Sequence, residues 1–195
     1  MSNAVIAPTP KSSRRTLLIL VAITVLPMVA AWLMYFFFPP SGHNNYGTLL
    51  KVRPVPEVTL LGADGKPFYL KDLRGKWVLV NVESAACTEP CQYNLFAVRQ
   101  ARVMQNREQP RVERVWLVTD GAALEPKAAA LMDGARIVRS GANGASAALA
   151  GEPGVEGHAY LIDPLGNLVL RFPTQPEPKK VAKDLKRLLK ASNIG

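Results

Sequence analysis

A chain of 195 residues has room for one domain of ordinary size and a short appendage, and a domain of about 150 residues can bury a substantial core. Its 24 Lys and Arg against 15 Asp and Glu give a formal charge of +9, but the cations gather towards the two ends and are not interleaved with aromatics along one element, which argues against a nucleic-acid interface. A membrane accounts for the pattern better.

Residues 1–15 form a short basic tail with Lys11, Arg14 and Arg15. The uncharged run 16–38 (TLLILVAITVLPMVAAWLMYFFF) is long enough, at ~1.5 Å per residue, to cross a ~30 Å hydrocarbon layer as a helix. Pro27 lies mid-span, where a membrane helix tolerates it with at most a kink. A cleaved signal peptide is the rival reading, since Val29-Ala30-Ala31 is a small-residue stretch; but the apolar run continues from Trp32 through Phe38 and exceeds the usual 7–15-residue apolar region. Cations on the leading flank, and none from residue 39 to residue 50, place the N-terminus in the cytoplasm and everything after the span outside it. In a bacterium that is the periplasmic face of the inner membrane, where disulfides persist.

Residues 39–56 (PPSGHNNYGTLLKVRPVP) read as a linker that overlaps the start of a domain at 48–195. Its His43 is expected to be solvated, a metal role being the lesser alternative. The next segment, VTLLGADGKPFYL, predicts a hairpin turning at Ala63-Asp64-Gly65. WVLVNV at 77–82 is a run of β-branched and aromatic residues of the kind that suits a central strand buried on both faces. After it come Cys87-Thr88-Glu89-Pro90-Cys91 and then Leu95, Val98 and Ala101 at helical spacing, so the cysteines stand where a strand feeds a helix. A strand at 112–119, a short helix at 126–132, a strand at 135–139 and a small-residue stretch follow. A second hairpin joins 160–163 to 168–172 across Pro164-Leu165-Gly166-Asn167. The last element, 178–189, places Val181, Leu185, Leu188 and Leu189 on one face and Lys179, Lys180, Lys183, Lys186, Arg187 and Lys190 around the others; a solvated face is its first reading and contact with anionic lipid the second. The β-α-β order with a closing hairpin and helix predicts an α/β, thioredoxin-like domain with a central mixed sheet.

The only two cysteines are four apart, a spacing that on a helix brings them to one face. A helix N-terminus favours the thiolate, which both attacks disulfides and binds metal ions. The competing reading is a static staple, but a bridge closing so short a loop removes little chain entropy. Two sulfurs alone make an incomplete copper site, and an imidazole would complete the set; His158, just before the YLID strand, is expected to face the cysteines, against the alternative of a loop-exposed histidine.

The N-terminal anchor, the hairpin, WVLVNVES-AACTEPC, RVWLVTD and GHAYLIDPLGNLVL together resemble the Sco/SenC family of thioredoxin-like proteins over about residues 48–190. The resemblance implies copper delivery or thiol redox chemistry in the assembly of the cytochrome c oxidase copper site, with an oxidase subunit or another copper or thiol protein as client. It implies Cys87 and Cys91 as the redox pair and Cys87, Cys91 and His158 as copper ligands. Gln92 stands where the family usually has a proline, and the family's histidine register falls at Val155. Asp120 resembles an acidic residue of the family and receives no role. The sequence also looks like membrane-tethered thiol–disulfide oxidoreductases, although these normally have Cys-x-x-Cys and a facing cis-proline, near Gly157 here. A redox-inert assembly factor is the remaining alternative.

Overall fold

The run Trp77–Glu83 is buried at every position, which an isolated strand could not achieve; it needs a partner on each edge and a layer on each face. The computed structural model supplies all four. It describes residues 13–37, 45–141, 144–192 and 194; the expectations for the tail with Lys11, for Phe38, and for the part of the linker that holds His43 lie outside them.

Two units are present, 1–44 and 45–195. In the first, α1 (Ser13–Phe37) is exposed along its described length and continues through Pro27 without interruption. Thr24 Oγ1, in the turn before the proline, donates to Leu20 O and Val21 O at 3.0 Å. Its Arg14–Phe37 portion is long and apolar enough to cross a membrane.

The second unit is a mixed sheet of eight strands among the described residues. In chain order they are β1 (Thr48–Pro54), β2 (Leu60–Gly62), β3 (Pro67–Phe68), β4 (Trp77–Glu83), β5 (Val112–Val118), β6 (Arg136–Arg139), β7 (His158–Ile162) and β8 (Asn167–Phe172), arranged β1-β8-β7-β4-β5-β6-β2-β3. β4, β5 and β6 are parallel neighbours, while β7 runs antiparallel to β4 and carries β8 and then β1 outward. The helices are α2 (Glu89–Val103), α3 (Pro126–Leu131), α4 (Gly144–Ala148) and α5 (Pro178–Ala191).

Both sequence-predicted hairpins form, β2–β3 around the Asp64-Gly65 turn and β7–β8 around Gly166. Residues 48–54, within the stretch read as linker, make the edge strand β1 instead; five of the seven are exposed, on both sides of the pleat, so the alternation that announces a strand is missing.

Side-chain alternation on the sheet divides the core. Trp77, Leu79, Ala159 and Leu161 meet Val98 and Ala101 of α2 and Val181 and Leu185 of α5 on one face. On the other, Val78, Val80, Val82, Tyr160 and Ile162 pack under Leu70, Leu73, Ala148 and Leu149. The chain enters this unit against α5: the buried Asp184 carboxylate accepts from Tyr46 N at 2.7 Å and Gly47 N at 2.9 Å, and Cβ has no room at Gly47, where it would meet Phe172 at 2.9 Å.

Candidate redox site

The central strand β4 delivers the chain to one end of the sheet, where it must turn to begin α2. Asp120, just beyond β5, fixes that turn. Ser84 Oγ donates to its Oδ2 at 2.5 Å, and Ala85 N and Ala122 N donate to Oδ1 at 3.2 and 3.1 Å. These bonds, the Ser84 hydroxyl foremost, hold the Asp120 carboxyl below the usual carboxylate range. Asp120 therefore shapes the loop that presents Cys87, a role the sequence alone did not assign.

Thr88 is the N-cap of α2 and Pro90 lies in its first turn, where a missing N–H has no consequence. Cys91 is in that first turn, and Cys87 precedes the helix, so the pair is not the within-helix i, i+4 arrangement expected. The two nevertheless form a disulfide, with Cα atoms 5.1 Å apart. Gln92 Nε2 donates to Cys87 O at 3.1 Å and closes the turn. Both cysteines are buried, in an apolar cluster with Ala85, Leu95, Trp116 and Met132. An open groove of about 500 Å³ runs beside them, lined by Glu89, Pro90, Gln92, Tyr93, Phe96, Leu131 and Gln175.

Glu83, the last residue of β4, is buried on the α2 side of the sheet. Asn94, one turn after Cys91, donates through Nδ2 to Glu83 Oε1 at 2.6 Å and to Gly157 O at 3.1 Å, and its Oδ1 accepts from Gln175 N at 2.7 Å. Burial pushes the Glu83 carboxyl above its ordinary range; the Asn94 bond opposes this and nearby Glu156 adds to it. Neither Glu83 nor Asn94 was singled out from sequence. The available signals were an acid ending a buried run that is apolar but for Asn81, and an amide among helix positions that face the core.

The structure does not bring His158 to the cysteines. Strand alternation puts His158 with Tyr160 and Ile162 on the face opposite the one that α2 covers. Its Nδ1 lies 2.9 Å from Phe172 O, and its Nε2 lies 2.6 Å from Arg171 Nη2. Since a guanidinium only donates, Nε2 is the accepting nitrogen and Nδ1 carries the proton. Val155, at the family's histidine register, is buried in the same core face. Among the described residues no group of three His, Cys, Asp or Glu could hold a metal ion, so the site offers two sulfur donors and no third.

A family model described as the transmembrane-like, thioredoxin-like C-terminal domain matches residues 77–192, more than half of the chain, and its companion, the transmembrane-like N-terminal domain, matches 8–37. The chain belongs to this transmembrane-like, thioredoxin-like family. Among curated proteins no sequence match is found. The fold of this family member is similar to apo Sco1 of Thermus thermophilus (22% identity, 77% of this chain and 98% of that one, TM-score 0.58). It is also similar to copper-bound Sco1 of yeast (14%, 70% and 95%, 0.58). The thioredoxin domain of a thiol-disulfide oxidoreductase from Bacteroides vulgatus aligns comparably (17%, 73% and 99%, 0.54). The domain is thus Sco-like in fold, on an N-terminal helix of membrane-spanning length.

The raised Glu83 carboxyl links stability to pH. The folded protein holds this proton more tightly than the unfolded chain, so its contribution to stability is lost as pH rises from the ordinary carboxylate range through the folded value. Glu83→Gln, an isostere of the neutral carboxyl, should raise the urea midpoint of the full chain in detergent at about pH 8 and lose that advantage near pH 4. An equal difference at both pH values would show that Glu83 ionises normally.

Proposed function

We propose that this protein is a membrane-anchored, Sco-like thiol–disulfide redox factor whose Cys87–Cys91 pair exchanges two electrons with a client. The observation that carries this reading is a disulfide across the first turn of α2. It closes a short loop and so stabilises the fold less than a long-range bridge would, and its sulfurs sit at a helix N-terminus that favours the thiolate once the bridge opens. A client thiolate attacks one sulfur, a mixed disulfide forms and the other cysteine departs as thiolate; the client's second thiolate then displaces the first cysteine. The domain ends reduced and the client oxidised, and the reverse sequence reduces a client disulfide. The groove by Tyr93 and Phe96 gives the client an apolar seat beside the bridge. The resemblance points to a cytochrome c oxidase subunit, or another copper or thiol protein, as that client.

The pair is tested by graded thiol buffers followed by maleimide tagging of the full chain in detergent. Cys87 and Cys91 should titrate together between disulfide and dithiol at a moderately oxidising potential. A bridge that stays closed in strongly reducing buffer while the fold persists identifies a static staple and sinks the redox reading.

A second reading, copper as cargo of the reduced pair, is favoured by the two soft sulfurs and by copper-bound Sco1 of yeast sharing the fold. Cys87 and Cys91 supply two donors. His158 joins them only if Arg171 and Phe172 O release its ring and the backbone at the start of β7 moves, so a client or solvent donor is the better third ligand. In copper titrations of the reduced chain, serine at either cysteine should abolish binding, and His158→Ala should leave it unchanged. Weakened binding in His158→Ala would put the imidazole back in the site, whereas no binding by wild type would leave thiol exchange alone.

Arg14 and Arg15 at the leading end of α1, with no cation from residue 39 to residue 50, support a cytoplasmic N-terminus and a domain on the periplasmic side of an inner membrane. An alkaline-phosphatase fusion after Gly195 should be active; activity of a cytoplasmic reporter there instead would reverse the orientation.

A further inference from the structure

We propose that the outer face of α5 docks on the anionic phospholipid surface of the membrane that anchors the chain. This rests on the reading of α1 as an anchor, and it concerns a surface that thiol chemistry does not use. At about 100° per residue, Lys179, Lys183, Lys186 and Lys190 fall within a stripe roughly 60° wide. All four are exposed, and the stripe points away from buried Val181, Leu185 and Leu189. The only acid within α5, Asp184, is turned inward to bind Tyr46 N and Gly47 N, so nothing on the helix's outer face neutralises the stripe. Glu177, at the N-cap, pairs with Lys180 at 2.8 Å, and among the described residues none of the four stripe lysines is in an ion pair.

The entry point of the chain selects lipid over other acidic partners. Tyr46 is fastened to α5 three ways: its N–H to Asp184, its hydroxyl accepting from Glu177 N at 3.2 Å, and its ring under Lys180 Nζ at 5.3 Å. From Phe37, the end of α1, to Asn45 is eight residue steps, a reach of at most about 28 Å. The most basic helix of the domain is therefore the element to which the tether is tied, and so short a tether holds its lysines at a high effective concentration over the headgroups. None of the four lysines lines the groove beside the cysteines, so docking leaves the redox site open to a client.

The full chain reconstituted in nanodiscs of phosphatidylcholine, with or without phosphatidylglycerol, is acetylated briefly with an N-hydroxysuccinimide ester and read lysine by lysine by mass spectrometry. Phosphatidylglycerol should slow modification of Lys179, Lys183, Lys186 and Lys190 several-fold and leave Lys66 unchanged, and the protection should vanish near 1 M salt, where the screening length falls to about 3 Å. Lys183→Glu with Lys186→Glu should remove protection from Lys179 and Lys190 while near-ultraviolet dichroism and the Cys87–Cys91 titration stay as in wild type. Equal reactivity in the two discs overturns the proposal, as does protection that survives high salt. Protection by added polyglutamate but not by phosphatidylglycerol overturns it in favour of an acidic protein segment. A chain that alkaline carbonate strips from membranes disproves the anchor itself, an outcome distinct from an anchored chain with unprotected lysines.

Discussion

Strand β4 is bonded along one edge to parallel β5 and along the other to antiparallel β7, and it is covered on both faces. That double enclosure demands an almost unbroken apolar sequence, and it fixes where the chain can next become polar. Asn81 is the one polar interruption within the strand, and at its end Glu83 is the first polar side chain to find a hydrogen-bond partner, so the turn into α2 is where the protein's centre meets the cysteine loop. Glu83 and Asp120 both act there. Glu83 is held inside by Asn94 and by its own carbonyl, which accepts from Trp116 Nε1 at 3.2 Å; Asp120 gathers the donors of the turn from outside. The cysteine loop is thus fixed from two sides before the disulfide is considered.

This arrangement suits redox work better than structural work. A loop already held by Asp120, by Gln92 on Cys87 O and by the first turn of α2 gains little order from a covalent link between residues four apart. Under the proposed redox role, opening the bridge would leave two thiolates near helix N–H groups on a scaffold held by other bonds. Both sulfurs are buried beside an open groove, so under the proposed redox role client docking would be the step that controls access.

Elements with strong local signals were legible in the sequence: β4 and β5 by their β-branched and aromatic residues, the two hairpins by their turns, α5 by its cations and leucines. β1 was not, because an edge strand exposed on both pleat faces carries no alternation and its Pro54 reads as linker. α4 was hidden for a different reason, as a short helix of Gly, Ala and Ser has no stripe to detect. At the site, the cysteine pair was plain from composition, yet its seat across the helix start rather than along one face depended on α2 beginning at Glu89. The Asp120–Ser84 bond spans 36 positions and leaves no local trace.

His158 shows most clearly what a one-residue register decides. Its sequence neighbourhood, a histidine opening an apolar strand, is compatible with either face of the sheet; Ala159 and Leu161 settle the matter by filling the α2 side and sending His158 and Tyr160 to the other. No side chain passes through a sheet, so bringing the imidazole to the sulfurs requires moving backbone at the start of β7. That backbone is secured: Gly157 N donates to Val82 O at 2.9 Å, Gly157 O accepts from Asn94, and Gly157 holds a φ of 77° that other residues resist. Asn94 in turn is the partner of Glu83. The cysteine helix and the histidine strand are therefore coupled through one amide and one glycine, and any change that loosens Asn94 from Glu83 acts on the placement of His158 as well as on the base of the redox loop.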